Sequence, residues 1–319
     1  MRLVPLFLLL IGWATSCDAN QKIDSSQIVQ FQVTLNLLKE AKTEKDSVEI
    51  INFHYINSKN KDVSQFFKSK NITARSIYEN IKAYPKFFEG LEGTRIDIDY
   101  LSDTLAHINA SFLEYFVHFQ KPNIYLVVGD LSVGGTIKGK NLFICLEMVS
   151  DNGIEDKSEL PSYLEKITNK ANLLTYICHE TAHTLQRGFP LSDLWGMIQF
   201  NKNSLLNTCL VEGSADYIIY HLFGMNLNEN LRLYVEENQF NLWERFRTDL
   251  EKEPFNYQDW VYHFRPRDQS PPDLGYFLGF QICESYVNNS KDKRKALLTL
   301  TKKGQYRKIY LESDYSPKD

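Results

Sequence analysis

The chain is 319 residues long and 43% apolar, with 36 basic against 40 acidic side chains and a formal charge of −4. That near-balance gives no footing for a nucleic-acid function or a polybasic membrane surface. The 18 Tyr and 20 Phe exclude general disorder, and the length suffices for one large core or two.

At the N-terminus, Arg2 precedes an apolar run from Leu3 to Trp13, and Ala14-Thr15-Ser16-Cys17 follows. A basic start, a short apolar run and small residues predict an export signal over residues 1–17, not a mature membrane span. Small residues directly before a Cys resemble the bacterial lipoprotein signal, whose Cys is lipidated and becomes the new N-terminus. Ala14 stands where Leu is usual in that signal. The resemblance implies a lipid anchor on Cys17, with plain secretion as the alternative. No other long apolar stretch follows, so the remainder is expected to be soluble.

Residues 18–100 read as an N-terminal helical region. Ile28, Phe31, Leu35 and Leu38 make one apolar stripe; Val63, Phe66 and Phe67, then Ile77, Ile81 and Phe87, make further ones. His54 reads as structural. A second region, 101–319, opens with an amphipathic helix from Leu101 to Phe119, on which His107 and His118 lack ligand spacing. The period then changes, and Asn123–Val128 and Asn141–Leu146 each predict a strand. The glycine-rich link from Gly129 to Lys140 reads as a hairpin connection, without the order a phosphate loop requires. One of these strands is the candidate edge for adding an extended substrate backbone.

Pro161, at a candidate first helical position, begins the approach to Ile177-Cys178-His179-Glu180-Thr181-Ala182-His183-Thr184-Leu185. On a helix, His179 and His183 project from one face, a spacing that binds a single Zn²⁺. Glu180 is rotated about 100° from His179, beside the metal and not at it, where a general base reaches an activated water. A chance match to this motif is expected in roughly one chain in a hundred of this composition. The apolar flank Leu173, Leu174, Ile177, Cys178, Ala182 and Leu185 places the helix against a core, and Gly188 and Pro190 are expected to stop it.

The candidate third ligand is Glu212. Leu205, Leu206, Leu210, Ala215, Ile218, Ile219 and Leu222 predict a helix with a wide apolar side, on which Glu212 and Asp216 share a face at i, i+4. Two acids there are costly to bury without partners. Zinc for Glu212 and a zinc-bound imidazole for Asp216 are suitable ones. Two His and one Glu leave a fourth position for water. Cys145, Cys178, Cys209 and Cys283 each lie in an apolar segment and read as free thiols, with a Cys178–Cys209 bridge as the pairing to check.

His179-Glu180-x-x-His183 followed by Glu212-x-x-x-Asp216 resembles the gluzincin pattern of zinc peptidases. Glu212-Gly213-Ser214-Ala215-Asp216-Tyr217 and Pro272-Asp273-Leu274-Gly275-Tyr276-Phe277-Leu278-Gly279 resemble more closely a bacterial family of zinc-dependent proteases of unknown substrate. That family includes exported lipoproteins distantly similar to gliding-motility lipoproteins, and the likeness runs from about Leu101 to Tyr310. It implies ligands His179, His183 and Glu212, base Glu180, and Asp216 supporting His179.

Farther on, Tyr276 is the first candidate and His263 the second for stabilising an oxyanion; Tyr276 alternatively packs through its ring. Arg265 and Arg267 are candidates for binding a substrate carboxylate, or for surface salt bridges. The expected fold is α+β and predominantly helical, a zincin-like metallopeptidase core with a small antiparallel β element. The expected activity is zinc-dependent hydrolysis of peptide bonds by a lipid-anchored protein of the bacterial cell envelope. The rival is a non-enzymatic exported lipoprotein whose zinc site is structural or vestigial and serves an envelope complex.

Overall fold

The computed structural model describes residues 21–57, 59–154, 156–186, 204–252, 259–261 and 271–317. A two-residue strand, β1 (Ile23–Asp24), leads into α1 (Ser26–Leu38), α2 (Glu44–Ile51), α3 (Lys61–Lys70), α4 (Ala74–Ala83), α5 (Pro85–Glu89) and α6 (Ile98–Tyr115). Local chemistry sets these boundaries. Asn60 caps α3 by accepting from Asp62 N at 3.0 Å, and Asn71 ends it in the left-handed region at φ 56°. Thr43 and Asp46 form a reciprocal capping box on α2.

Strands β2 (Asn123–Val127), β3 (Gly135–Lys138) and β4 (Asn141–Cys145) complete a sheet in the order β1-β2-β4-β3. Here the structure corrects the expected antiparallel hairpin. β2 and β4 run parallel, Asn123 opposite Asn141 through Val127 opposite Cys145. The glycine-rich link carries β3, which returns antiparallel to β4 with Gly135 opposite Ile144. A two-residue turn at Gly139-Lys140 makes that return, Gly139 supplying φ +62°. The sheet is therefore mixed. β2 and β4 are buried almost end to end, as inner parallel strands are, whereas β3 is a half-buried edge.

The N-terminal helices share this core. Phe66 of α3 stacks on Phe143 of β4 with ring centroids 4.7 Å apart. The buried Tyr55 hydroxyl donates to Val128 O at 2.6 Å and accepts from Val128 N at 2.7 Å.

Beyond the sheet, α7 (Ser162–Thr168) and α8 (Leu173–His183) are separate helices, with Pro161 as the cap of the first. Asn172 caps α8 by accepting from Thr175 N at 2.8 Å. α8 ends at His183, short of Gly188, which lies outside the described residues with Pro190. Then follow α9 (Ser204–Phe223), α10 (Arg232–Leu250), α11 (Leu274–Asn289), α12 (Lys293–Leu300) and α13 (Tyr306–Ser313). α9 and α11 cross at glycines. A Cβ on Gly213 would lie 2.2 Å from the Gly279 carbonyl carbon, and one on Gly275 2.7 Å from Cys209 Sγ. The four cysteines among the described residues, Cys145, Cys178, Cys209 and Cys283, are free and buried, so the Cys178–Cys209 bridge does not form.

Candidate metal centre

α8 lies under the edge strand. Gly134 and Gly135 let it approach closely: a Cβ at Gly134 would sit 2.8 Å from the Tyr176 ring, and one at Gly135 2.9 Å from Glu180 Cγ. Tyr176 and Glu180, four residues apart, thus face β3. His179 and His183 turn toward α9.

There, three atoms converge. His179 Nε2 and His183 Nε2 are 3.1 Å apart, and Glu212 Oε2 is 3.3 Å from each. Ring nitrogens and carboxylate oxygens want a partner, and these three want the same one. A four-coordinate zinc with bonds of about 2.0–2.1 Å holds its ligands about 3.3 Å apart, so the donor set and its edges fit that ion. A Glu180 carboxylate oxygen lies within 4.8 Å of nitrogens of both histidines, but it is Glu212 that closes the triangle.

The far side of each imidazole is also held. Asp216 Oδ1 accepts from His179 Nδ1 at 2.8 Å, and Asn228 Nδ2 donates to Asp216 Oδ2 at 2.7 Å. Gln186 Oε1 lies 3.0 Å from His183 Nδ1, and its amide donates to Ser214 Oγ at 3.0 Å and to Val211 O. Both arrangements put the ring proton on Nδ1 and leave Nε2 free for a cation.

The electrostatics agree with that design. Burial opposes charge on His179, but the Asp216 and Glu212 carboxylates outweigh it and push the imidazole up to about 10. His183 is raised likewise: burial works against it, and Glu212 prevails. Glu212 is buried too, yet the two histidines hold it well below the usual carboxylate range. The cluster stabilises positive charge at its centre. Glu180 goes the other way: burial raises its carboxyl, against the pull of His183, His179 and Lys70.

These groups open on a cleft of about 450 Å³, lined also by Lys70, Lys170, Lys303, Asp273 and Tyr276. Tyr276 stacks on His179 with ring centroids 6.3 Å apart, and Lys170 Nζ sits 4.9 Å over the Tyr276 ring. His263, Arg265, Arg267 and Cys17 lie outside the described residues. Sequence reasoning missed Gln186, Asn228, Tyr176 and the three lysines. Only Gln186 carried a readable signal, standing three residues after His183 and so over the same turn.

The family model described as gliding motility protein GldB matches residues 18–317. The chain belongs to that family. The match takes in the N-terminal third, which the likeness read from the motifs had left uncovered. It supports the gliding-motility relationship and not kinship with gluzincin peptidases. No curated protein and no solved structure matches the chain. Among the described residues, no helix is long and apolar enough to cross a membrane.

Proposed function

We propose that this member of the gliding-motility family is an exported, lipid-anchored protein of the cell envelope, and that its cleft holds one zinc ion on His179, His183 and Glu212. The observation that carries the metal is the triangle of donor atoms with edges of 3.1, 3.3 and 3.3 Å. The family membership supports the envelope role, and Cys17 is the proposed point of lipid attachment.

The finer reading is hydrolysis of a peptide bond. A zinc ion bound there supplies Lewis acidity, polarising a carbonyl and acidifying water. Glu180 takes a proton from the attacking water and gives it to the leaving amine. Its burial against β3 supports this role, since a carboxyl with a raised pKa shares a proton more evenly near neutral pH. Asp216 and Gln186 hold the imidazoles in register. Tyr276 walls the cleft beside His179, from which its hydroxyl is the candidate oxyanion donor. β3 offers a strand edge for an extended peptide.

A second reading drops the reaction: a non-enzymatic lipoprotein, its zinc site structural or vestigial, acting within an envelope complex. The family match favours it directly, because the family is described by motility and not by a reaction. Glu180 argues for the first reading, since a structural zinc site has no use for that carboxylate.

Metal analysis of the purified protein, with peptide-library cleavage by wild type and Glu180→Gln, tests all of this. One zinc per chain in both, with cleavage by wild type only, is the expected result. Zinc without cleavage would leave the non-enzymatic reading, and absence of zinc would remove the hydrolytic one and leave a vestigial site.

A further inference from the structure

The cleft carries positive charge outside the donor triangle. Lys70, the last residue of α3, and Lys303, in the turn before α13, both line it and are half-buried. Neither makes an ion pair or a side-chain hydrogen bond among the described residues. Lys170 differs: its Nζ lies 3.1 Å from Asp273 Oδ2 and over the Tyr276 ring. Of the three carboxylates in the lining, Asp273 is thus matched by Lys170, and Glu180 and Glu212 stand at the donor triangle. Lys70 acts on Glu180 through space, but a divalent cation at the triangle would balance Glu180 and Glu212 and leave Lys70 and Lys303 in surplus. This happens on a chain of net charge −4. It is a local feature of the cleft.

An ammonium group is compact and strongly hydrated, and drawing it into a cleft costs free energy unless an anion meets it. Low-dielectric walls also focus the field of such charges on whatever enters. The volume, about 450 Å³, is that of a small-ligand site or a few residues of a longer chain. No arginine fork lines the cleft among the described residues, so the charges act as separate points. That suits carboxylates spaced along a chain better than one compact phosphate.

We propose that Lys70 and Lys303 receive carboxylates of the ligand, so that the cleft takes an acidic peptide. The peptide part rests on the hydrolytic reading above; the acidic part rests on the lysines and on the cation that would balance Glu180 and Glu212. The carboxylate comes from a side chain or from the C-terminus, and the two sources separate in the test.

The experiment measures binding, by fluorescence anisotropy, of N-terminally labelled Ala-Ala-Glu-Ala-Ala and Ala-Ala-Gln-Ala-Ala. Each is made as a C-terminal acid and as an amide, and each is offered to zinc-loaded and metal-free Glu180→Gln protein. At least one acidic form should bind ten-fold or more tighter than the neutral amide, and the preference should shrink as salt is raised. Lys70→Gln with Lys303→Gln should abolish the preference, whereas Lys70→Arg with Lys303→Arg should keep it. Lys308→Gln, an exposed lysine paired with Glu312, should keep it too. Glu with an amide end binding best assigns a side-chain carboxylate; Gln with a free end binding best assigns the C-terminus. Equal binding of all four peptides, no binding, or a preference that survives the double Gln variant would overturn the proposal. The two readings fail separately. Cleavage of neutral peptides without charge preference sinks this one alone, and lysine-dependent binding without zinc or cleavage sinks only the hydrolytic one.

Discussion

Gly213 and Gly279 meet backbone to backbone where α9 crosses α11. A Cβ on Gly279 would lie 2.0 Å from the Cys209 carbonyl oxygen, and one on Gly213 2.3 Å from Phe280 N. Neither neighbour is a side chain that can swing aside. Glu212 precedes Gly213, and Tyr276, which stacks on His179, lies one turn before Gly279, so this crossing sets where Glu212 stands relative to Tyr276. Gly279→Ala should therefore destabilise the protein by about 3 kcal/mol or more, the upper end of overpacking costs. It should also weaken zinc binding. Urea unfolding and a chelator competition measure the two effects, and an unchanged midpoint would mean that the helices separate at little cost.

Asp216 is bonded on both oxygens, to His179 Nδ1 at 2.8 Å and Asn228 Nδ2 at 2.7 Å. Removing such a support typically costs 10–100-fold in metal affinity, a range of roughly 1.4–2.7 kcal/mol. Asp216→Ala should fall near the weak end of affinity. Asp216→Asn, which keeps an oxygen for the imidazole, should lose less. Titration against a chromophoric chelator ranks the two, and wild-type affinity in Asp216→Ala would rule out this role.

Gly135 separates metal binding from catalysis. An added methyl there meets Glu180 Cγ at 2.9 Å, Ile144 Cδ1 at 3.0 Å and Glu180 Oε1 at 3.1 Å, so its three nearest neighbours belong to Glu180 and Ile144. On the hydrolytic reading, Gly135→Ala displaces the base, and turnover should fall about ten-fold, the effect of about 1.4 kcal/mol on the barrier. Zinc stoichiometry should stay at the wild-type value. Loss of zinc with activity would place Gly135 in the folding of the site and not in the aim of Glu180.

What the sequence made legible follows from where the information sits. His179, Glu180 and His183 are legible because one helix carries all three, and helical spacing is fixed. Glu212 and Asp216 stand out as two acids on an apolar helix, a conspicuous cost. The sheet was not legible in the same way. β2 and β4 are apolar runs whose parallel pairing leaves no local mark, and β3, Gly-Thr-Ile-Lys, has too little alternation to separate it from a loop. Lys70 and Lys303 lie in opposite parts of the chain, and only the packing of α3 and α13 brings them to one cleft. Nothing local marks either lysine as functional. The proposed lipid attachment is the reverse case: its signal is read from the sequence around Cys17, which lies outside the described residues.

Glu147 gives a pH dependence independent of the metal. Its Oε1 accepts from Gly129 N at 2.9 Å and Leu131 N at 3.4 Å, holding the bend that leads into β3. Its Oε2 is buried without a hydrogen-bond partner among the described residues. Burial pushes the carboxyl from its ordinary 4.5 to about 7, against the backbone donors of Gly129, Glu147 itself and Leu131. The sign follows: between these values the folded chain keeps a proton that the unfolded chain has released. Its contribution to stability is thus full below pH 4.5 and is lost as pH rises toward 7. At 1.36 kcal/mol per pH unit, the loss is about 3 kcal/mol. Glu147→Gln keeps an acceptor for Gly129 and Leu131 and removes the titration. It should gain on wild type by up to about 3 kcal/mol between pH 4.5 and pH 8. Urea unfolding of both proteins at those two pH values measures it, and a stability difference that does not change with pH would mean that Glu147 ionises freely in the fold.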